Sequence, residues 1–197
     1  MPGILLRRIA GKRRPHPSWL ERRKRGRYQA EYTEQYRQEM ARIREAVPDI
    51  ALSTDLMVGF PGETDEQFEN SLRFCDEIAF SSMHLFKYSP RQGTPAAGYP
   101  NQVPNEVKDI RSKRMQEMAE RNMLRYMEAH LGQIVEVLVD GFDEEQEQFY
   151  GRTYADSPEI DSRVWIASQE ALVEGTFVKV CIDGVVDGEL SGYIMED

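Results

Sequence analysis

The chain has 197 residues, of which 40% are hydrophobic, and 34 acidic against 25 basic side chains give a net charge of -9 at neutral pH. This hydrophobic content is enough to bury a core, and no apolar run approaches the roughly 18 residues of a membrane span, so we expect a cytoplasmic globular protein. Cys75 and Cys181 are too far apart in sequence for a CxxC or Cys/His metal site, which argues against a disulfide framework and predicts no metal site.

The charge is distributed unevenly along the chain. Residues 1–27 hold ten lysines and arginines against one acidic residue, a net of +9, whereas residues 132–197 hold three against sixteen, a net of -13. The first 29 residues show no sustained apolar period, so we expect a basic, poorly ordered arm. Such a run can contact nucleic acid phosphates, although it is more often a solvated arm.

The middle of the chain begins with a predicted helix. Apolar side chains recur at helical spacing between Ala30 and Ala46, and Pro48 ends the pattern. The apolar, β-rich residues 50–58 predict a buried strand, and residues 82–88 predict a second one.

A capped helix is predicted between these two strands. Thr64 and Gln67, at the end of a GFPGET loop, make a capping box. The apolar face that follows consists of Phe68, Leu72, Cys75 and Ile78. Strand, loop, helix and strand in this order form a βαβ unit, which implies a parallel sheet.

A third helix is expected from Pro104 to about His130, after a loop rich in Gly and Pro. The positions that mark its expected face are Val107, Ile110, Arg114, Met118 and the stretch from Arg121 to Met127. This face is only partly apolar, which is typical of a helix that bridges two bodies.

Beyond Gly132 the pattern changes to five short alternating runs with Gly and Asp at the turns. Runs of this length predict a small five-stranded antiparallel barrel. The domain boundary is therefore placed near residue 130, which gives a basic arm at 1–29, a first domain at 30–130 and a second at 131–197.

Three stretches, STDLMVGFPGETDEQFENSL, FKYSPRQGTPAA and NQVPNEVKDIR, resemble in order and spacing the methylthiotransferase family of radical-SAM enzymes. The resemblance covers about Tyr32 to Ile194. It implies an α/β fold, in which the C-terminal part of a partial radical-SAM (TIM-like) barrel is followed by a small all-β TRAM (OB-like) barrel. In the family, the TRAM domain holds the macromolecular substrate.

The resemblance also implies a wall for S-adenosylmethionine at the end of the first strand. The matching positions are Asp55, Gly59, Phe60, Gly62 and Glu63. Glycines permit close backbone approach or a positive φ, which suits a cofactor wall. A tight strand-to-helix turn with a capping box needs the same glycines, so this structural alternative stays open.

Two groups of substrate-binding residues follow from the same resemblance. At the active-site mouth they are Lys87, Ser89 and Arg91, and in the barrel they are Tyr154, Asp156, Glu159 and Asp161. The barrel stretch GRTYADSPEIDSRVWI resembles the RimO type, which modifies an aspartate of a small-subunit ribosomal protein. An acidic barrel suits such a basic partner and repels a phosphate backbone, although acidity can also serve solubility alone.

The family holds one four-iron four-sulfur cluster on a CxxxCxxC loop and a second on three further cysteines, and neither set occurs in this sequence. We therefore expect a truncated methylthiotransferase that is inactive alone and binds neither S-adenosylmethionine nor a 4Fe-4S cluster tightly. Two alternatives stay open. One is part of a tRNA methylthiotransferase of the MiaB or MtaB type, and the other is a non-catalytic, TRAM-like binding module.

Overall fold

The computed structural model describes residues 22–157 and 162–195, with side chains from Tyr32 onward. Most of the predicted basic arm, and the candidate residues Glu159 and Asp161, lie outside the described residues. Over the described ranges, no helix is both long and apolar enough to cross a membrane.

The chain divides into two compact units between Glu120 and Arg121. The residues before this point are called unit 1 and those after it unit 2. The helices and strands up to Glu128 are α1 (Arg22–Ala46), β1 (Ser53–Val58), α2 (Asp65–Ile78), β2 (Ser82–Lys87), a short 3-10 helix (Pro95–Gly98) and α3 (Asn105–Glu128). Helix α3 begins in unit 1, and its last residues belong to unit 2. Helix α1 begins earlier than the predicted Ala30.

Unit 1 contains the predicted βαβ arrangement. Strands β1 and β2 pair in parallel, with Ser53 opposite Ser82 and Val58 opposite Lys87. The capping box of α2 is confirmed, because the Gln67 amide donates to Thr64 Oγ1 at 3.2 Å and the Thr64 amide donates to Gln67 Oε1 at 3.0 Å.

Helix α3 packs with a face that only partly matches the one predicted. Met118 is buried as expected, but Ile110 is 62% exposed, and Lys108, Arg111 and Met115 are buried in its place. The prediction was wrong for Ile110 because apolar character alone does not decide which face of a charged helix is buried. Long basic side chains also cover apolar surface with their methylene stems when their charged ends find partners.

Unit 2 is a closed barrel of five strands in the order β3-β4-β5-β7-β6. Their bounds are β3 (Ile134–Asp143), β4 (Gln148–Arg152), β5 (Val164–Ala167), β6 (Phe177–Val186) and β7 (Glu189–Ile194). Four of the five pairings are antiparallel as predicted, but β5 and β7 pair in parallel. An odd number of strands cannot alternate in direction all the way around a closed barrel, so one parallel pair is unavoidable.

The barrel core is built from inward-facing aliphatic side chains on alternate positions: Val137, Val139, Val164, Ile166, Val180 and Ile182. Gly151 and Gly192 let neighbouring backbone come close. A Cβ on Gly151 would overlap the carbonyl oxygen of Leu138, and one on Gly192 would overlap that of Cys181.

Candidate functional site

The loop between β1 and α2 is a tight turn held by backbone hydrogen bonds. Gly59 and Gly62 have φ of +74° and +84°, values that favour glycine. The Gly62 amide donates to the Asn101 carbonyl at 2.8 Å, and the Glu63 amide donates to the Phe60 carbonyl at 2.9 Å. The local sequence thus places a narrow loop at the C-terminal end of a parallel strand, where ligands often bind.

Glu63 is the centre of this loop. Its carboxylate accepts a hydrogen bond from the Gly59 amide at 2.7 Å and another from Arg111 Nη1 at 2.7 Å. Arg111 also reaches Asp65 Oδ1 at 2.6 Å through its Nη2. Since the described contacts of the Glu63 carboxylate lie within the protein, Glu63 shapes the loop from inside.

The side of Gly59 that lacks a Cβ is filled by Lys108. A Cβ added to Gly59 would overlap Cγ of Lys108, whereas one added to Gly62 would meet nothing within 4 Å. The space beside Gly59 is therefore occupied by a side chain of the same unit. Of these two glycines, Gly62 is the one that leaves open space of the kind that a ligand needs.

An open cleft of about 820 Å³ lies at the end of β2. We call it the strand-end cleft. The residues of its lining that carry polar side chains include Lys87, Tyr88, Ser89, Gln102, Asn105 and Lys108. Of the three residues predicted at the active-site mouth, the structure brings Lys87 and Ser89 into this lining.

The other predicted positions of unit 1 are placed differently. Arg91 is exposed and does not belong to the described lining. Asp55 lies in mid-strand opposite His84. The ring of Phe60 packs edge-on against Tyr88, with centroids 5.2 Å apart. None of the five predicted cofactor residues contributes to the described lining of the strand-end cleft.

The loop after β4 carries the predicted barrel residues. Asp156 Oδ2 accepts hydrogen bonds from the Thr153 amide at 2.9 Å and from Thr153 Oγ1 at 2.7 Å, which closes a small turn. Tyr154, inside that turn, is 70% exposed. The cavity beneath the loop measures about 30 Å³, roughly the volume of one water, so this region offers a surface and not a deep pocket.

The arginines of the barrel are engaged with acidic groups of the same barrel. Arg152 Nη1 lies 2.7 Å from Asp140, and Arg163 Nη1 lies 3.9 Å from Asp143. The guanidinium of Arg163 also stacks over the Tyr150 ring at 4.5 Å from its centroid. The barrel therefore presents a predominantly negative surface.

A βαβ unit and a five-stranded barrel are consistent with a TRAM-domain protein, and residues 131–195 match the TRAM domain family. The tRNA-2-methylthio-N(6)-dimethylallyladenosine synthase of Geobacillus kaustophilus is 48% identical over 108 residues, which cover 55% of this chain and 20% of that protein. The ribosomal protein uS12 methylthiotransferase RimO of Geobacter sulfurreducens is 40% identical over 162 residues, which cover 82% of this chain and 36% of that protein.

A second tRNA-2-methylthio-N(6)-dimethylallyladenosine synthase, from Erythrobacter litoralis, is 39% identical over 163 residues, which cover 83% of this chain and 35% of that protein. The chain is therefore similar to the C-terminal portion of methylthiotransferases. It spans about a fifth to about a third of the length of these relatives.

The cysteines of the chain do not fit an iron-sulfur cluster. Cys75 lies in the core of unit 1, where burial raises the pKa of its thiol to about 12. Cys181 belongs to β6 of unit 2, and its hydrogen bond with Tyr193 raises the pKa of that phenol. A cluster needs thiolate ligands that converge, and these two thiols belong to different units.

Sequence reasoning missed three polar residues that shape this region, namely Tyr88, Lys108 and Arg111. A usable signal existed for the last two, because Lys108 and Arg111 stand three residues apart on α3 and continue the helical spacing of Met115 and Met118. Tyr88 was placed in the predicted buried strand 82–88, but nothing in its spacing indicated that it would line a cleft.

Proposed function

We propose that this chain is the substrate-holding part of a RimO-type methylthiotransferase that acts on a basic ribosomal protein. The complete enzyme would use S-adenosylmethionine and 4Fe-4S clusters to methylthiolate an aspartate of a small-subunit ribosomal protein. The observation that carries the proposal is the charge of the barrel, because residues 132–197 have a net charge of -13.

A surface of this sign selects its partner by electrostatics. It repels a phosphate backbone, and RNA-binding barrels of this size normally carry a positive groove. A basic protein gains both attraction and faster association. The turn between β3 and β4 concentrates the effect, since Glu144, Glu145 and Glu147 are all exposed there.

The loop after β4 provides a second contact surface in this proposal. Tyr154 is an exposed aromatic side chain beside the turn that Asp156 closes. Exposed tyrosines are common at protein interfaces because the ring covers apolar area while the hydroxyl stays hydrated. The YADSPEID stretch that carries it resembles the RimO type, and we assign Tyr154, Asp156, Glu159 and Asp161 to substrate docking.

Unit 1 supplies the cofactor side in the proposal. Gly62 leaves open space beside a strand end, which supports close approach of S-adenosylmethionine at that position. Phe60 contributes an aromatic surface, and Glu63 with Gly59 maintains the loop. Asp55 stands further back along β1, at the N-terminal side of the same loop.

Direct binding tests the choice of partner. The full chain is titrated with fluorescent uS12 and, separately, with a tRNA anticodon stem-loop, and anisotropy is followed as salt is raised. We expect binding to uS12 that weakens with salt, and weaker or undetectable binding to RNA. Binding of the RNA without uS12 would favour a tRNA methylthiotransferase, the type to which the Geobacillus kaustophilus relative belongs.

Two matched variants identify the surface. Glu144→Gln/Glu145→Gln removes two charges from the barrel, and Glu45→Gln/Glu66→Gln removes two exposed charges from unit 1. We expect the barrel variant to lose affinity for uS12 by about threefold to tenfold and the control to lose less than about twofold. Equal losses in both variants would show that overall charge, and not the barrel, attracts the partner.

A further inference from the structure

Lys108 is a buried cation without a carboxylate partner. Lys108 as a whole is only 5% exposed. In the described part of unit 1 no ion pair involves Lys108, and the polar contact of its ammonium is Asn105 Oδ1 at 3.5 Å. The neighbouring Lys87 and Arg111, in contrast, both reach carboxylates at 2.7 Å. A buried ammonium without an anion is costly, so this position needs a ligand or a solvent that compensates its charge.

Tyr88 presents a second unsatisfied group beside it. The Tyr88 hydroxyl is buried and has no hydrogen-bond partner among the described residues. The ammonium of Lys108 lies 5.5 Å from the centroid of the Tyr88 ring. Buried polar groups are nearly always hydrogen-bonded, so a tyrosine hydroxyl without a partner, on a ring that faces an ammonium without a carboxylate, calls for a common explanation.

Both residues line the strand-end cleft, which also receives the start of α3. Asn105 is the first residue of this 24-residue helix and belongs to the lining. The first amides of a helix lack intrahelical acceptors and carry partial positive charge. Asp109 is the carboxylate of the lining, and Lys87 neutralises it at 2.7 Å.

We propose that the strand-end cleft binds the anionic oxygen group of a small molecule, a carboxylate or a phosphate. Lys108 supplies the charge, Tyr88 donates its hydroxyl hydrogen, and the amides at the start of α3 complete the set of donors. Gly59 is required because only the absence of a Cβ lets the Lys108 stem pass on its way to the cleft. The inference does not rest on the docking role of the barrel.

The test measures binding to the full chain by calorimetry and by NMR of the Tyr88 ring. Inorganic phosphate is the simplest probe. Two pairs distinguish the sources of the anion: AMP against adenosine for a phosphate, and S-adenosylmethionine against 5′-methylthioadenosine for a carboxylate. We expect the member of at least one pair that carries the phosphate or carboxylate to bind and to shift the Tyr88 resonances, while its counterpart without that group binds at least about tenfold more weakly.

Variants separate this site from general electrostatics. Lys108→Met keeps the stem and removes the charge, and Tyr88→Phe removes only the hydroxyl. Lys113→Met is the matched control, because Lys113 stands on the same helix but is exposed and does not belong to the described lining of the cleft. We expect Lys108→Met to weaken anion binding by about tenfold or more, Tyr88→Phe by about threefold to tenfold, and Lys113→Met by less than about twofold.

A readout without ligand adds a second criterion. Removal of an unpaired buried charge relieves its desolvation, so Lys108→Met is expected to leave the unfolding midpoint of the free chain unchanged or raised. No binding of any anion at millimolar concentration would overturn the proposal. Equal binding by wild type and Tyr88→Phe, with unshifted Tyr88 resonances, would overturn it even if Lys108→Met failed to fold. Loss of uS12 binding would affect only the proposed docking function.

Discussion

Glu63 and Arg111 form an ion pair of 2.7 Å in which the two side chains are only 3% and 6% exposed. The same glutamate also accepts the Gly59 amide, so a single carboxylate joins the β1–α2 loop to helix α3. Loss of Arg111 leaves the Glu63 carboxylate charged and buried without its cation, whereas loss of Glu63 leaves Arg111 with Asp65 as its ion-pair partner. This relationship makes the pair a sensitive point of unit 1.

We expect Arg111→Met to lower the free energy of unfolding by about 3 to 5 kcal/mol, because Glu63 then stays buried without its cation. Glu63→Gln should lower it by less, because Arg111 keeps Asp65 as a partner. The double replacement should cost less than the sum of the two. Urea titration followed by far-UV circular dichroism measures this effect. Arg114→Met is the control. Its ion pair with Glu69 lies on the surface, so the fall in the free energy of unfolding should be clearly smaller.

Gly59→Ala is expected to destabilise unit 1 by two separate effects. A non-glycine residue at φ +74° costs roughly 1 to 2 kcal/mol, and the new Cβ also overlaps Lys108. When Gly59→Ala is made in the Lys108→Ala background, the overlap is absent and only the backbone cost remains. The difference between the two backgrounds, measured by urea titration, therefore isolates the steric part, and a zero difference would contradict the contact.

Thr64→Ala tests the capping box of α2. The Thr64 hydroxyl accepts the Gln67 amide at 3.2 Å, and its loss leaves a helix donor without this partner. We expect the free energy of unfolding to fall by about 1 kcal/mol. Thr64→Ser retains the hydroxyl and should restore most of the loss in the same thermal or urea measurement.

Cys75 predicts a dependence of stability on alkaline pH. Its pKa is raised from 9.0 to about 12 by burial, so the folded state holds a proton that the unfolded state releases. The unfolded chain then binds fewer protons, and stability falls as pH rises from about 9 towards 12. The slope of unfolding free energy against pH should be shallower in Cys75→Ala, whose titrating thiol is absent.

Thiol labelling gives an independent check on the same residue. We expect iodoacetamide at mildly alkaline pH to modify Cys181, which is partly exposed, much faster than Cys75. Peptide mass spectrometry assigns each site. Labelling of both cysteines at similar rates in native protein would contradict the burial of Cys75.

The barrel glycines predict a selective loss of unit 2. Gly192→Ala places a Cβ against the Cys181 carbonyl and should prevent the barrel from closing. Gly184→Ala is the matched control, because its Cβ would meet only the Ser191 hydroxyl, which can rotate away. Proteolysis with mass analysis should show cleavage within residues 121–197 for the first variant and near-native resistance for the second.

Local features of the fold were open to prediction from the sequence. The α2 cap and the apolar face from Phe68 to Ile78 involve neighbours within one or two turns, so spacing alone identifies them. The five barrel runs were likewise visible as alternating stretches. The parallel pairing of β5 with β7 was missed although closure requires it, because alternation describes a strand and not its neighbours.

The residues of the candidate site could be predicted from the sequence only in part. Gly59, Gly62, Lys87 and Ser89 occur in short motifs, and their positions at strand ends followed from the βαβ pattern. Lys108 and Arg111 looked like surface residues of a charged helix. Their burial depends on which face of α3 meets α2 and the loop after β1, and the free energy of that packing involves residues more than forty positions apart.

By itself, therefore, the sequence determined the likeness to methylthiotransferases, the order of the elements and the charge of each segment, since these depend on composition, motifs and local spacing. Only the tertiary structure decided that Glu63 accepts hydrogen bonds from Arg111 and from the Gly59 amide. It also decided that Lys108 has no described carboxylate partner and faces the ring of Tyr88, whose hydroxyl is unpaired among the described residues. The physical reason is that the energy of a buried charge depends on its partners and on the water around it, and both are set by packing between distant segments.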